Sequence, residues 1–113
     1  MSNHAALGPA FDALDNCEAA LRKLDAACCE PGRSPRMKAL AHTLTEARAG
    51  LHRTDDDPAA ADVALVHLED AGAQVGRLQV GCCTPDRLPL YAGLLEGLAT
   101  AQLTLNRVRG QGH

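Results

Sequence analysis

An internal repeat is the feature that most limits how this chain can fold. Shifting the sequence by 54 residues aligns positions 14–53 with 68–107 without a gap, and 13 of the 40 aligned positions are identical. The most similar stretch is 28–35, whose cysteines, prolines and arginines all recur in 82–89. A repeat of this length indicates two related structural units, and 113 residues are enough for one domain that contains both.

Apolar residues in each half recur at steps of three and four, which is the spacing of the core-facing side of an amphipathic helix. We call these positions the core seams. The seams before and after the first cysteine motif are Leu14, Cys17, Leu21, Leu24, Cys28 and Met37, Leu40, Leu44, Ala47, Leu51. Their counterparts in the second half are Leu68, Ala71, Val75, Leu78, Cys82 and Tyr91, Leu94, Leu98, Ala101, Leu105. Each half is therefore predicted to be a helical hairpin.

The turn and cap residues set the expected helix boundaries. Ser34-Pro35 and Asp57-Pro58 are each typical of an N-cap followed by proline at the first helical position, and Gly8-Pro9 is expected to open the first helix. The predicted helices lie near 10–29, 35–52, 58–81 and 87–109. Because short connections make consecutive helices antiparallel, the sequence predicts an all-α fold, an antiparallel four-helix bundle built from two duplicated helical hairpins.

The domain is expected to include the whole chain, 1–113. It divides into repeat 1 (about 10–53), an acidic linker (53–58), repeat 2 (about 58–109) and a disordered tail (110–113). An alternative is that the two hairpins of one chain complete bundles with a second copy.

Composition excludes several classes of function. The apolar residues are mostly Ala and Leu, with no Ile or Trp and a single Phe and Tyr, which excludes a β-rich core and a base-stacking platform. The acidic pI of about 5.9 is unfavourable for nucleic-acid binding. No apolar run approaches the ~20 residues that span a bilayer, and the N-terminus does not resemble a secretion signal. We therefore expect a cytoplasmic protein that binds neither nucleic acid nor membrane.

The two Cys-Cys motifs are the candidate site. In the predicted bundle both hairpin tips lie at the same end, which brings Cys28, Cys29, Cys82 and Cys83 together. Four thiolates form a donor set for Zn, Cu(I) or an iron-sulfur cluster. Arg33 and Arg87 would lower the thiolate pKa values or neutralise an anionic cluster. The leading hypothesis is a metal or cluster carrier, store, sensor or accessory protein.

Two other interpretations of the cysteines remain open. They could be structural, filling the bundle end or forming a disulfide, although helix spacing places inward-facing Cα atoms about 7 to 9 Å apart, beyond the roughly 5.5 Å typical of a disulfide. Alternatively, Cys29 or Cys83 could be an exposed nucleophile in a thiol redox or adduct-forming protein. Adjacent cysteines match no standard zinc spacing, so the motif does not decide among these hypotheses.

Outside the motifs, the sequence offers few ligands. Cys17 aligns with Ala71 on a core seam, so it is predicted to fill the core. His42 and His52 fall on the solvent side of the second helix, whereas His67 flanks the seam of the third. None of these histidines is expected to complete a metal site or activate a nucleophile.

Helix four has apolar and small residues outside its seam. Leu90 and Leu103 replace Arg36 and Ala49 of the first half, and two glycines would permit close approach of another backbone. The predicted contact face for a homodimer or protein partner consists of Leu90, Gly93, Gly97 and Leu103. The alternative is a wider core on that side of the bundle. This face supports a second functional hypothesis, a dimeric helical interaction module with structural or disulfide-forming cysteines.

Overall fold

The protein is all-α across the part of the chain that the structure describes. The computed structural model describes residues 4–27, 34–81 and 88–111. Four helices account for nearly all of them: α1 (His4–Ala27), α2 (Pro35–Asp56), α3 (Ala60–Gly81) and α4 (Leu88–Gln111). None of the four is both long and apolar enough to cross a membrane.

The core seams lie in the interior as predicted. Every described seam residue is buried, and each helix contributes one continuous apolar strip. The buried seam residues are Leu14, Cys17, Leu21, Leu24, Met37, Leu40, Leu44, Ala47, Leu51, Leu68, Ala71, Val75, Leu78, Tyr91, Leu94, Leu98, Ala101 and Leu105. The spacing of apolar residues was therefore sufficient to identify the inward side of all four helices.

Three of the helices extend beyond their predicted ends, and in α1 and α2 buried residues lie in the extensions. Helix α1 begins at His4 and contains Pro9, so Gly8-Pro9 does not open it; Leu7, one turn before the expected start, is fully buried. Helix α2 runs through most of the predicted acidic linker, and its Thr54 is buried with the hydroxyl donating to the Gly50 carbonyl at 2.7 Å. Helix α4 reaches Gln111, so Gly110 is helical.

The start of α2 is confirmed and the start of α3 is shifted. Ser34 is the N-cap of α2, with its hydroxyl accepting from the Met37 backbone N–H at 3.3 Å. Asp57 accepts similarly from the Ala59 N–H at 3.1 Å, but the backbone turns once more before α3 begins at Ala60. Proline at 58 thus lies in the turn rather than at the first helical position.

The most extensive helix contacts join the two halves of the chain. Helix α1 packs mainly on α4 and α2 mainly on α3, whereas α1·α2 and α3·α4 are smaller interfaces, an arrangement compatible with a bundle. A Cβ added at Gly50 would lie 2.9 Å from the Ala64 Cβ, and one added at Gly97 would lie 3.0 Å from the Ala13 carbonyl oxygen. Each extensive interface therefore contains a glycine at a point where no larger residue fits without a shift.

Candidate functional site

The two Cys-Cys motifs lie outside the described residues, but the helix ends next to them are described. Cys28 follows Ala27, the last residue of α1, and Cys82 follows Gly81, the last residue of α3. Six residues separate α1 from the cap of α2, and six separate α3 from α4. Arg33 and Arg87 fall in the same two segments, so all six predicted site residues belong there.

Contacts between described residues bring these helix ends together. The Arg36 guanidinium, in the first turn of α2, donates to the Arg77 carbonyl near the end of α3 at 3.3 Å. The Tyr91 hydroxyl, in the first turn of α4, donates to the Leu78 carbonyl at 3.4 Å. A cleft of about 400 Å³ joins the last turns of α1 to the first turns of α2 and is lined by Leu21, Arg22, Asp25, Met37 and Lys38 among others. The chain therefore enters both motifs from one end of the molecule.

That end of the molecule is cationic. The described residues of 20–41 and 74–95 include five basic residues and one acidic residue, Asp25, a formal charge of +4. Outside these two stretches the chain has four basic and eleven acidic residues, a formal charge of −7. The described basic residues at this end are Arg22, Lys23, Arg36, Lys38 and Arg77. A thiolate or an anionic metal complex next to these helix ends would experience a favourable potential.

Cys17 is confirmed as a core residue. Its side chain is fully buried, and its thiol donates to the Leu94 carbonyl at 3.5 Å. Burial, with a smaller contribution from neighbouring Glu18, raises the pKa of the thiol to about 11. This cysteine is therefore protonated at neutral pH and is a poor nucleophile.

The histidines are placed as expected. His42 and His52 are exposed on α2, where His42 lies 3.8 Å from Glu46 and the His52 ring lies 4.7 Å from the Phe11 ring. His67 is half-buried on α3. Within 4–27, 34–81 and 88–111 no three His, Cys, Asp or Glu residues are grouped so as to hold a metal ion.

Three of the four residues of the predicted partner face of α4, Gly93, Gly97 and Leu103, line one groove between α1 and α4. Leu103 is 58% exposed, as expected, but Leu90 packs against the core. Gly97 is buried against α1, beside Cys17, and Gly93 lies in a groove between α1 and α4. The close backbone approach attributed to a partner is therefore made within the chain at Gly97.

A second surface of α4, which shares Leu103 with the predicted partner face, is apolar and exposed. We call it the α4 outer stripe, and it consists of Leu88, Ala92, Leu95, Ala99 and Leu103. These residues recur at steps of three and four, the same signal that located the core seams, so a second search for that spacing along helix four would have found them.

Two grooves meet at the C-terminal part of the stripe. One, of about 590 Å³, lies between α3 and α4 and includes Val66, whose side chain is 61% exposed. The other, of about 690 Å³, lies between α1 and α4 and includes Asp12 and Glu96. Ala99 and Leu103 line both grooves, so they are at the centre of this surface.

Comparisons with known proteins identify no relative. No protein-family model, curated protein or solved structure matches the chain.

Proposed function

We propose that this protein binds a soft metal ion or an iron-sulfur cluster through Cys28, Cys29, Cys82 and Cys83. It would act as a carrier, store, sensor or accessory protein. The observation that carries the proposal is the mutual contact of the helix ends adjoining both motifs, through Arg36 with Arg77 and Tyr91 with Leu78. With Cys28 and Cys82 each one residue from a described helix end, four sulfur donors belong to segments that start and finish at one end of the molecule.

Electrostatics at this end favour bound thiolates. Two helix C-termini and two helix N-termini meet there, so the helix dipoles largely offset one another and side-chain charge decides the potential. Four thiolates around a divalent ion leave a net negative charge, which the formal charge of +4 in 20–41 and 74–95 would offset. Arg33 and Arg87, inside the motif segments, would contribute most directly. We place the protein in the cytoplasm, where free thiols remain reduced.

We further infer that the fold is a duplicated antiparallel bundle with a pseudo-twofold axis. In the 54-residue repeat, α1 corresponds to α3 and α2 corresponds to α4. A twofold axis that relates the two repeats would therefore superpose the α1·α4 interface on the α2·α3 interface, and these are the two extensive interfaces. Thr43 contacts Gln74 and Gly50 lies against Ala64, so residue numbers rise on α2 as they fall on α3. Such an axis would relate the two Cys-Cys motifs and make each contribute equally to one site.

Metal analysis of protein purified without oxygen tests the proposed site. The full chain is expected to contain stoichiometric metal, and the variant with Cys28, Cys29, Cys82 and Cys83 all changed to Ser is expected to lose it. Cys17→Ala is the matched control, because it also removes a cysteine but one buried away from the motifs. Circular dichroism of each variant establishes that the helices are retained.

Metal well below one equivalent in the folded, unmutated protein would overturn the proposal. The same conclusion would follow if the fourfold Ser variant retained as much metal as Cys17→Ala. An absorption spectrum of the purified protein separates an iron-sulfur cluster, which is coloured, from Zn or Cu(I), which are not.

A second candidate function is a helical interaction module that forms a homodimer or binds a protein partner, with structural or disulfide-forming cysteines. The exposed α4 outer stripe favours it, since large apolar side chains on a monomer surface are usually covered when they form a contiguous patch. Light scattering on the reduced, metal-free protein, with and without Leu103→Ser, tests self-association. If the protein is a monomer and no helical probe binds at the surface around Leu103, this function is contradicted.

A further inference from the structure

We propose that the α4 outer stripe is a docking site for a basic amphipathic helix of another protein. This inference rests on the interaction function proposed above and identifies the kind of partner. The stripe extends over 16 residues of one helix, from Leu88 to Leu103, which at ~1.5 Å per residue is about 24 Å or four helical turns. Its apolar residues recur at the spacing with which one helix packs against another.

The shape of the surface suits a helical partner. Leu103 stands between the two grooves, with Val66 of α3 on one side and Ala13 of α1 on the other. A ridge flanked by grooves is the relief into which the side chains of a second helix interdigitate. Leu103 and Val66 are 58% and 61% exposed, so a partner would bury apolar area that the chain itself leaves in water.

The rim of the surface is acidic. Asp62 and Glu69 border the groove on the α3 side, and Asp12 and Glu96 border the other groove. The basic residue that lines these grooves, Arg109, is already paired with Asp62 at 2.7 Å. Asp12, Glu69 and Glu96 form no ion pair within the described parts of the chain. Three carboxylates are therefore available to a partner that carries positive charge.

The same charges disfavour a second copy of this chain. A second copy would bring its own acidic rim, with Asp12, Glu69 and Glu96, against the acidic rim of the first. Like charges across an interface oppose association, whereas lysines and arginines of a different partner would complement this rim.

Peptide binding tests the inference on the full-length protein. Two fluorescent 18-residue helical peptides serve as probes, both with leucine on one face and with either lysine or glutamate on the other. Fluorescence anisotropy at low ionic strength is expected to show binding of the Leu/Lys peptide and no binding of the Leu/Glu peptide. Added salt should weaken the interaction.

Matched variants locate the site. Leu103→Ser should weaken binding about tenfold, since it removes a large apolar contact, while Val63→Ser, at an exposed apolar residue of α3 outside the stripe and both grooves, should change it little. Glu96→Gln should weaken binding about twofold to fivefold, and Glu46→Gln on α2 should not. All four positions are solvent-exposed or partly so, so the fold is expected to persist in each variant.

Three results would overturn the inference. If both peptides bind with equal affinity and Leu103→Ser weakens both, the protein is an interaction module but does not prefer a basic partner. A dimer that Leu103→Ser dissociates would likewise support an interaction module, with a second copy as the occupant. A monomer that binds neither peptide would contradict the interaction function as well.

Discussion

Two glycines determine how closely the helices approach, and their effects can be measured individually. At Gly97 an added Cβ would lie 2.5 Å from the Cys17 Sγ and 3.0 Å from the Ala13 carbonyl oxygen. At Gly93, one turn earlier on the same helix, an added Cβ would meet no atom within 4 Å. The two positions therefore separate packing from helix propensity.

Gly97→Ala is expected to lower the free energy of unfolding by about 1–3 kcal/mol through overpacking, despite a gain of about 1 kcal/mol in helix propensity. Gly93→Ala, the control, should raise it by about 0.5–1 kcal/mol. Urea denaturation measures both. Cys17→Ala should relieve part of the strain, so Gly97→Ala should lower the free energy of unfolding less in the Cys17→Ala background than in the unmutated protein. An equal loss in both backgrounds would contradict this account.

The buried thiol of Cys17 predicts a pH dependence of stability. Below pH 9, the ordinary thiol pKa, Cys17 is protonated in both the folded and the unfolded chain. Between pH 9 and about 11 only the unfolded chain ionises this group, so unfolding becomes easier as the pH rises. In reducing buffer, the stability advantage of the unmutated protein over Cys17→Ala should therefore shrink across this interval. A difference that stays constant from pH 8 to 11 would show that the folded-state pKa is not raised.

At the level of helices, Arg48 forms both ion pairs between α1 and α2 that the described residues show. Arg48 of α2 pairs with Asp15 and with Glu18 of α1, and its guanidinium lies 6.0 Å from the centre of the Phe11 ring. These side chains are partly exposed, so each contact is worth a fraction of 1 kcal/mol to about 1 kcal/mol.

Arg48→Ala is expected to lower the free energy of unfolding by about 1–2 kcal/mol at low salt, because it removes all three contacts at once. The loss should be smaller in 1 M salt, which screens the two ion pairs. Arg53→Ala is the matched control on the same helix, since Arg53 is exposed and forms no ion pair with the described residues. Equal losses for the two variants would mean that the α1 contacts contribute nothing.

For the whole molecule, the interfaces between the halves dominate those within them. Helix α1 packs mainly on α4, and α2 on α3, so each half separated from the other would expose most of its seam residues. Fragments 1–57 and 58–113 are therefore expected to have little helix by circular dichroism when separate and to regain it when mixed in equal amounts. Fragments as helical alone as in the mixture would instead support independently folding hairpins. The intact chain under the same conditions provides the reference.

The seam positions and the Ser34 cap could be predicted from the sequence because both are local. Helical geometry alone places Leu40, Leu44 and Leu51 on one side, and a serine before proline caps whatever helix follows. Helix ends were less predictable. Leu7 and Thr54 keep α1 and α2 helical beyond the expected limits because they are buried against other helices, and that contact is not local.

The residues of the candidate site were likewise predictable where the signal is local and unpredictable where it depends on other helices. By itself the sequence determined the inward face of every helix, and it identified the four cysteines and two arginines as candidate ligands and neighbouring charges. Both follow from residue type and periodicity, which do not depend on contacts with other helices. Only the tertiary structure decided which helices pack most closely, that Gly97 is covered by α1, and that Leu88, Leu95 and Leu103 remain in water. The reason is physical: an apolar stripe has the same spacing whether it is buried or exposed, and only its neighbours in space distinguish a core from a docking surface.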